Sequence, residues 1–153
     1  MTVVAEPPVQ PSSDAEPPEE VTAAFPYANE SAGQARRLVR DVLHRWKIAD
    51  LIDSAVLVAS ELMTNAIQTG CRRHIVLTLK RLGESAVRIS VEDGSCYPPV
   101  LIQASVPANP DRVPAGGHGL VIVDQLSRRW GLDLRPRGKC VYAEIHGPRR
   151  LPR

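Results

Sequence analysis

Between residues 31 and 70, apolar side chains recur every three or four positions; from residue 75 they recur every second one. The first texture predicts helices and the second predicts strands. Ser31-Ala-Gly-Gln34 has the form of a capping box, with Ser31 accepting from an amide three residues on and Gln34 reaching back. The helix it opens is expected to run to about Trp46, with Ala35, Leu38, Val42 and Leu43 on one side and Arg36, Arg37, Arg40 and Asp41 largely on the other. A second helix is expected from about Asp53, with a stripe of Ile52, Ala55, Val56, Ala59, Leu62, Met63, Ala66 and Ile67. Gly70 is a suitable carboxyl-terminal cap for it.

The alternating part begins with Ile75, Leu77 and Leu79, turns through Arg81–Ser85, and continues with Val87, Ile89 and Val91. This predicts an antiparallel hairpin with one buried face. Residues 94–117 hold five prolines and three glycines and are expected to form a long loop, of the kind used as a lid. A third helix is expected from Gly119, with Leu120, Val123, Leu126 and Trp130 on one side. Two short strands follow, Leu132 with Leu134, then Val141, Ala143 and Ile145. Helices packed on one face of an antiparallel sheet is the economical arrangement of such elements.

Composition adds a boundary. Residues 1–25 contain Pro7, Pro8, Pro11, Pro17 and Pro18 among acids and small residues, too little apolar surface to offset the entropy of ordering them. They are expected to be a disordered tail, ahead of a domain at 26–147 and a basic tail at 148–153. Residues 1–30 hold six of the 17 acids and none of the 19 Lys and Arg residues, which leaves a basic body suited to anionic partners. Cys71, Cys96 and Cys140 are too scattered for a disulfide framework or structural zinc. The amino end has neither the basic patch nor the apolar core of a secretory signal, and no apolar run reaches membrane-spanning length. The expectation is a cytoplasmic protein without membrane contact. Aromatic residues are 4% of the chain and no recognition helix is evident, which disfavours direct nucleic-acid binding.

Three clusters carry chemistry. Glu61 and Asn65 stand four apart on the second helix, so both point the same way, opposite the apolar stripe. A carboxylate and an amide oxygen at this spacing can position a nucleophile and hold a hard cation, although in isolation the pair reads as a solvated helix face. Asp93-Gly94 leaves a strand, where the acid can accept from an amino group and the glycine lets backbone approach a flat ring, or serves simply as a turn. Gly116-Gly117-His118-Gly119-Leu120 opens a helix, where free amides and the helix dipole favour phosphate, or connects two elements.

In this order and on these elements, the clusters resemble the GHKL ATPase superfamily of gyrase, the heat-shock chaperone, histidine kinases and MutL. Glu61 and Asn65 match its N-box, Asp93-Gly94 its first glycine box and Gly117-His118-Gly119 its second. The chain is most similar to the small bacterial anti-sigma-factor serine kinases over about Phe25 to Ile145. Ala35–Arg40, Ser60–Ala66, Gly116–Leu120, Arg129-Trp130-Gly131 and Gly138–Glu144 carry that likeness.

The resemblance implies an α/β sandwich of the Bergerat type, an antiparallel or mixed sheet with about three helices on one face, that binds ATP with Mg2+. It implies that Asn65 ligates the magnesium and Glu61 is the base toward a water or a serine hydroxyl. It further implies that Asp93 accepts from the adenine amino group, Gly117 and Gly119 give amides to the phosphates, and residues 95–116 form the lid. Gly94, His118, Leu120, Lys139 and Cys140 fall beside the same pocket, with a solvated turn lysine an equal reading for Lys139. The implied partner is an antagonist protein carrying the target serine, a sigma factor, or both, with a homodimer left open. A non-catalytic module that sequesters such a partner would carry the same motifs. Three positions depart from the branch: Thr69 stands for a histidine, Cys140 for a threonine near the adenine, and His118 for an arginine.

Overall fold

Among the described residues, five strands and three α-helices follow in the order β1 (Glu20–Phe25), α1 (Asn29–Arg45), α2 (Ile52–Gln68), β2 (Ile75–Gly83), β3 (Ala86–Asp93), α3 (His118–Leu126), β4 (Arg129–Arg135) and β5 (Gly138–His146), with a 3-10 turn at Ala49–Leu51 before α2. The structure, a computed structural model, describes residues 18–68, 74–94, 118–136 and 138–148. The expected loop at 94–117 therefore lies outside the described residues beyond Gly94, as do Thr69, Gly70 and the end of the basic tail.

The sheet runs β1-β2-β3-β5-β4 with every neighbouring pair antiparallel. Its inward face presents Ile75, Leu77 and Leu79 of β2, Val87, Ile89 and Val91 of β3, and Val141, Ala143 and Ile145 of β5, all buried. Central α2 covers them and packs against α1 and α3. It buries Ile52, Ala55, Val58, Ala59, Leu62, Met63 and Ala66. The result is the α/β sandwich expected, with an antiparallel sheet.

Several expectations need correction. β1 lies inside the stretch assigned to a disordered tail. Its alternation of Val21, Ala23 and Phe25 toward the core is short and built partly on alanine, and pairing with β2 supplies what composition lacks. α1 begins at Asn29 rather than Ser31, and the capping box is not made: Ala28 is the N-cap, and the Ser31 hydroxyl, buried in the first turn, donates to the Pro26 carbonyl at 2.6 Å. The buried stripe of α1 centres on Val39, with Leu38 at its margin. Trp130 belongs to β4 rather than α3, and its indole nitrogen donates to Asp124 at 2.9 Å.

α1 ends without glycine. Lys47 takes the left-handed conformation (φ 58), its amide donates to the His44 carbonyl, and the Ile48 amide reaches Leu43. These two bonds form a Schellman motif, and buried Ile48 and Leu43 supply its apolar pair.

Candidate functional site

The carboxyl end of β3 and the start of β5 meet in register, Asp93 opposite Lys139 and Glu92 opposite Cys140. Because side chains alternate along a strand, Asp93 and Lys139 both face the helices. Their side chains are 2% and 1% exposed, with Lys139 Nζ 3.7 Å from Asp93 Oδ2. Lys139 is thus no solvated turn lysine. Three neighbours build this corner. Gly138 lies so close to the Asp93 carbonyl oxygen that a Cβ there would collide with it. The Gly94 amide donates to the Tyr27 hydroxyl at 3.1 Å, which ties the segment after β1 to the end of β3. On β4, Leu134 stands opposite Lys139 and is 61% exposed.

The same alternation turns Cys140 to the outer face, where burial pushes its thiol above the usual range and Arg135, Glu92 and Asp133 are its charged neighbours. This corrects its expected place beside the adenine: the residue of β5 on the Asp93 side is Lys139.

Connectivity brings the other residues toward this corner. Gln68 ends α2 and Ile75 opens β2, whose Val76 pairs with Glu92, so the last turns of α2 lie at the Asp93 end of the sheet. Asn65 is half-buried there, and its Nδ2 is buried without a hydrogen-bond partner among the described residues. Glu61, one turn earlier, is half-buried and enters no ion pair among the described residues. The face holding both is therefore not a solvated helix face. Arg36 Nη1 donates to Ser60 Oγ at 3.1 Å, pinning α1 to α2 beside Glu61. α3 ends at Leu126, and Arg128 bonds to the Glu144 carbonyl near the far end of β5. A helix of nine residues, about 13 Å long, consequently points its amino end, His118 and Gly119, back toward Asp93. Leu120 is 3% exposed and belongs to the core, and Gly117 lies outside the described residues.

A cleft of about 780 Å³ opens at the other end of the sheet, between the β2–β3 turn, the end of α1 and the end of β5. It contains none of the predicted site residues, and its wall mixes Arg45, Lys47, Arg81 and Arg128 with Glu19, Asp50 and Glu84. Among the described residues, no helix is long and apolar enough to cross a membrane.

Sequence patterns missed Tyr27, because an isolated aromatic after an unrecognised strand gives no signal. The burial of Lys139 was equally hidden, since a lysine between glycine and cysteine reads as a turn. Strand register is what brings it to Asp93.

Among solved structures, the histidine kinase domain from the Erythrobacter litoralis EL346 blue-light activated histidine kinase is 20% identical, with a TM-score of 0.43. The match covers 80% of this chain and 61% of that one, so this chain spans less than two thirds of that structure. No curated protein is significantly similar. The family model of the histidine kinase-like ATPase domain matches residues 25–145, which is most of the chain. The chain belongs to the histidine kinase-like ATPase domain family and is a GHKL-type ATP-binding domain.

Proposed function

We propose that this protein binds Mg-ATP and transfers the γ-phosphate to a serine of an antagonist protein, in the manner of an anti-sigma-factor kinase. The observation that carries the reading is on α2, where, among the described residues, the buried amide nitrogen of Asn65 has no hydrogen-bond partner and lies one turn from Glu61, whose carboxylate enters no ion pair. Buried polar atoms normally find partners, so an orphan beside an acid fits a site completed by a polar ligand. The buried Lys139 Nζ, paired with the Asp93 charge but without a hydrogen-bond partner among the described residues, fits the same ligand at the base end.

In this reading Asn65 holds magnesium through its amide oxygen, Asp93 accepts from the adenine amino group, and the amides of Gly117 and Gly119 hold phosphate. Magnesium, when bound, neutralises charge on the phosphate oxygens. Glu61 takes the proton from the attacking serine hydroxyl. Phosphoryl transfer asks mainly for positioning and charge stabilisation, and these residues supply both.

The test pairs two measurements on the intact chain. Calorimetry should give Mg-ATP binding for wild type and for Glu61→Gln, since the amide keeps the size of the acid. Mass spectrometry of a candidate antagonist should show transfer at least about a hundredfold slower for the variant, because general bases contribute about 10²–10⁴-fold. If the wild-type protein captures its partner and ATP without transferring phosphate, the kinase assignment fails and the domain is a nucleotide-dependent clamp.

A further inference from the structure

We propose, resting on the ATP-binding reading above, that Lys139 selects the base by donating a hydrogen bond to the ring nitrogen N1 of adenine while Asp93 accepts from the neighbouring amino group. An ammonium carries three N–H donors and no acceptor. That of Lys139 is buried, has no hydrogen-bond partner among the described residues, and stands 3.7 Å from the Asp93 carboxylate, beyond hydrogen-bond distance. A buried charged donor of this kind gains a strong bond from any ligand that brings an acceptor.

The ligand's chemistry follows from what lies beside it. Asp93 offers an acceptor and Lys139 a donor, side by side on one sheet face. The matching edge carries a donor next to an acceptor, which is the order of the amino group and N1 on adenine. Guanine seated the same way would set its O6 against the carboxylate and its N1–H against the ammonium, mismatched at both points. The row continues into Leu134, the exposed apolar neighbour of Lys139 on β4. Acceptor, donor and apolar surface thus follow one another across three strands, spanning about 10 Å at the usual strand spacing, a width suited to a flat bicyclic ring. Lys139 is a specificity-determining residue here, distinct from the groups that hold phosphate or move protons.

Nucleotide analogues test this by calorimetry on the intact chain with magnesium. Wild type should bind 1-deaza-ATP, which lacks the N1 acceptor, at least about tenfold more weakly than ATP, the cost of a lost bond to a charged group. Binding of 7-deaza-ATP should stay close to that of ATP. In Lys139→Met the preference for ATP over 1-deaza-ATP should vanish. If removal of one member of the pair unfolds the protein, the double variant Asp93→Asn/Lys139→Met removes both charges and serves for the same comparison. Equal binding of ATP and 1-deaza-ATP by wild type, or a preference that survives without Lys139, overturns the base-reading role while leaving ATP binding standing. Failure of wild type to bind ATP overturns both.

Discussion

Asp93 and Lys139 show how far a residue's neighbours change what it is expected to do. Asp93-Gly94 was legible as the end of a strand, but the buried cation beside Asp93 was not, because the partner comes from a strand 46 positions later in the chain. The pairing alters the consequence of Asp93→Asn. ATP affinity should fall by about 1.5–3 kcal/mol through loss of a charge-assisted bond. Stability should fall as well, by about 3–5 kcal/mol, because the Lys139 ammonium is left buried without its counter-charge. Chemical denaturation beside calorimetry separates the two; an unchanged midpoint would mean that the ion pair contributes nothing to folding. Asn65 gives a cleaner variant, since its amide nitrogen has no hydrogen-bond partner among the described residues to strand. Asn65→Ala should weaken Mg-ATP binding far more than ATP binding in chelator. Equal losses in both conditions would assign Asn65 a structural role and remove the metal from it.

At the level of elements, periodicity located α1, α2 and the β2–β3 hairpin because each repeats its pattern over several turns or pairs. Their ends were harder, because caps are single-residue decisions. Ser31 looked like an N-cap and instead donates its hydroxyl backward to Pro26. Lys47 sits where glycine usually would, at the left-handed residue that closes α1. A side chain there costs roughly 1–2 kcal/mol of backbone strain, partly offset by the greater unfolded-state freedom of glycine. Lys47→Gly is therefore expected to stabilise the fold by about 0.5–1 kcal/mol, read as a raised denaturation midpoint. A lowered midpoint would show that the Lys47 side chain contributes more than its conformation costs. Gly138 has the opposite character. Its Cβ would collide with the Asp93 carbonyl oxygen, so Gly138→Ala must push β5 from β3 where Asp93 and Lys139 meet. The expected loss is about 1–3 kcal/mol of stability, together with weaker ATP binding.

For the molecule as a whole, motif order and sheet-covering helices were legible, whereas the amino-terminal boundary was not. Acidic and proline-rich composition describes residues 1–25 as a unit, yet Glu20–Phe25 forms an edge strand, and Trp46 donates from its indole to the Pro18 carbonyl at 2.8 Å. An edge strand of six residues is ordered through its pairing with a neighbour, so its own composition understates it. The folded part therefore takes in Glu20–Phe25, ahead of the expected start at residue 26. A chain starting at residue 18 keeps β1, the Trp46 bond and the Gly94–Tyr27 contact, and should melt within a degree or two of the full chain. A chain starting at residue 26 loses the buried Phe25 ring, a change worth about 3–5 kcal/mol when such a ring is truncated. It also bares the backbone edge of β2 from Ile75 to Lys80, an open template for pairing with a second molecule. That shorter chain should melt well below the other and associate as concentration rises, measured by calorimetry and light scattering. Equal melting and a monomeric shorter chain would return β1 to the tail.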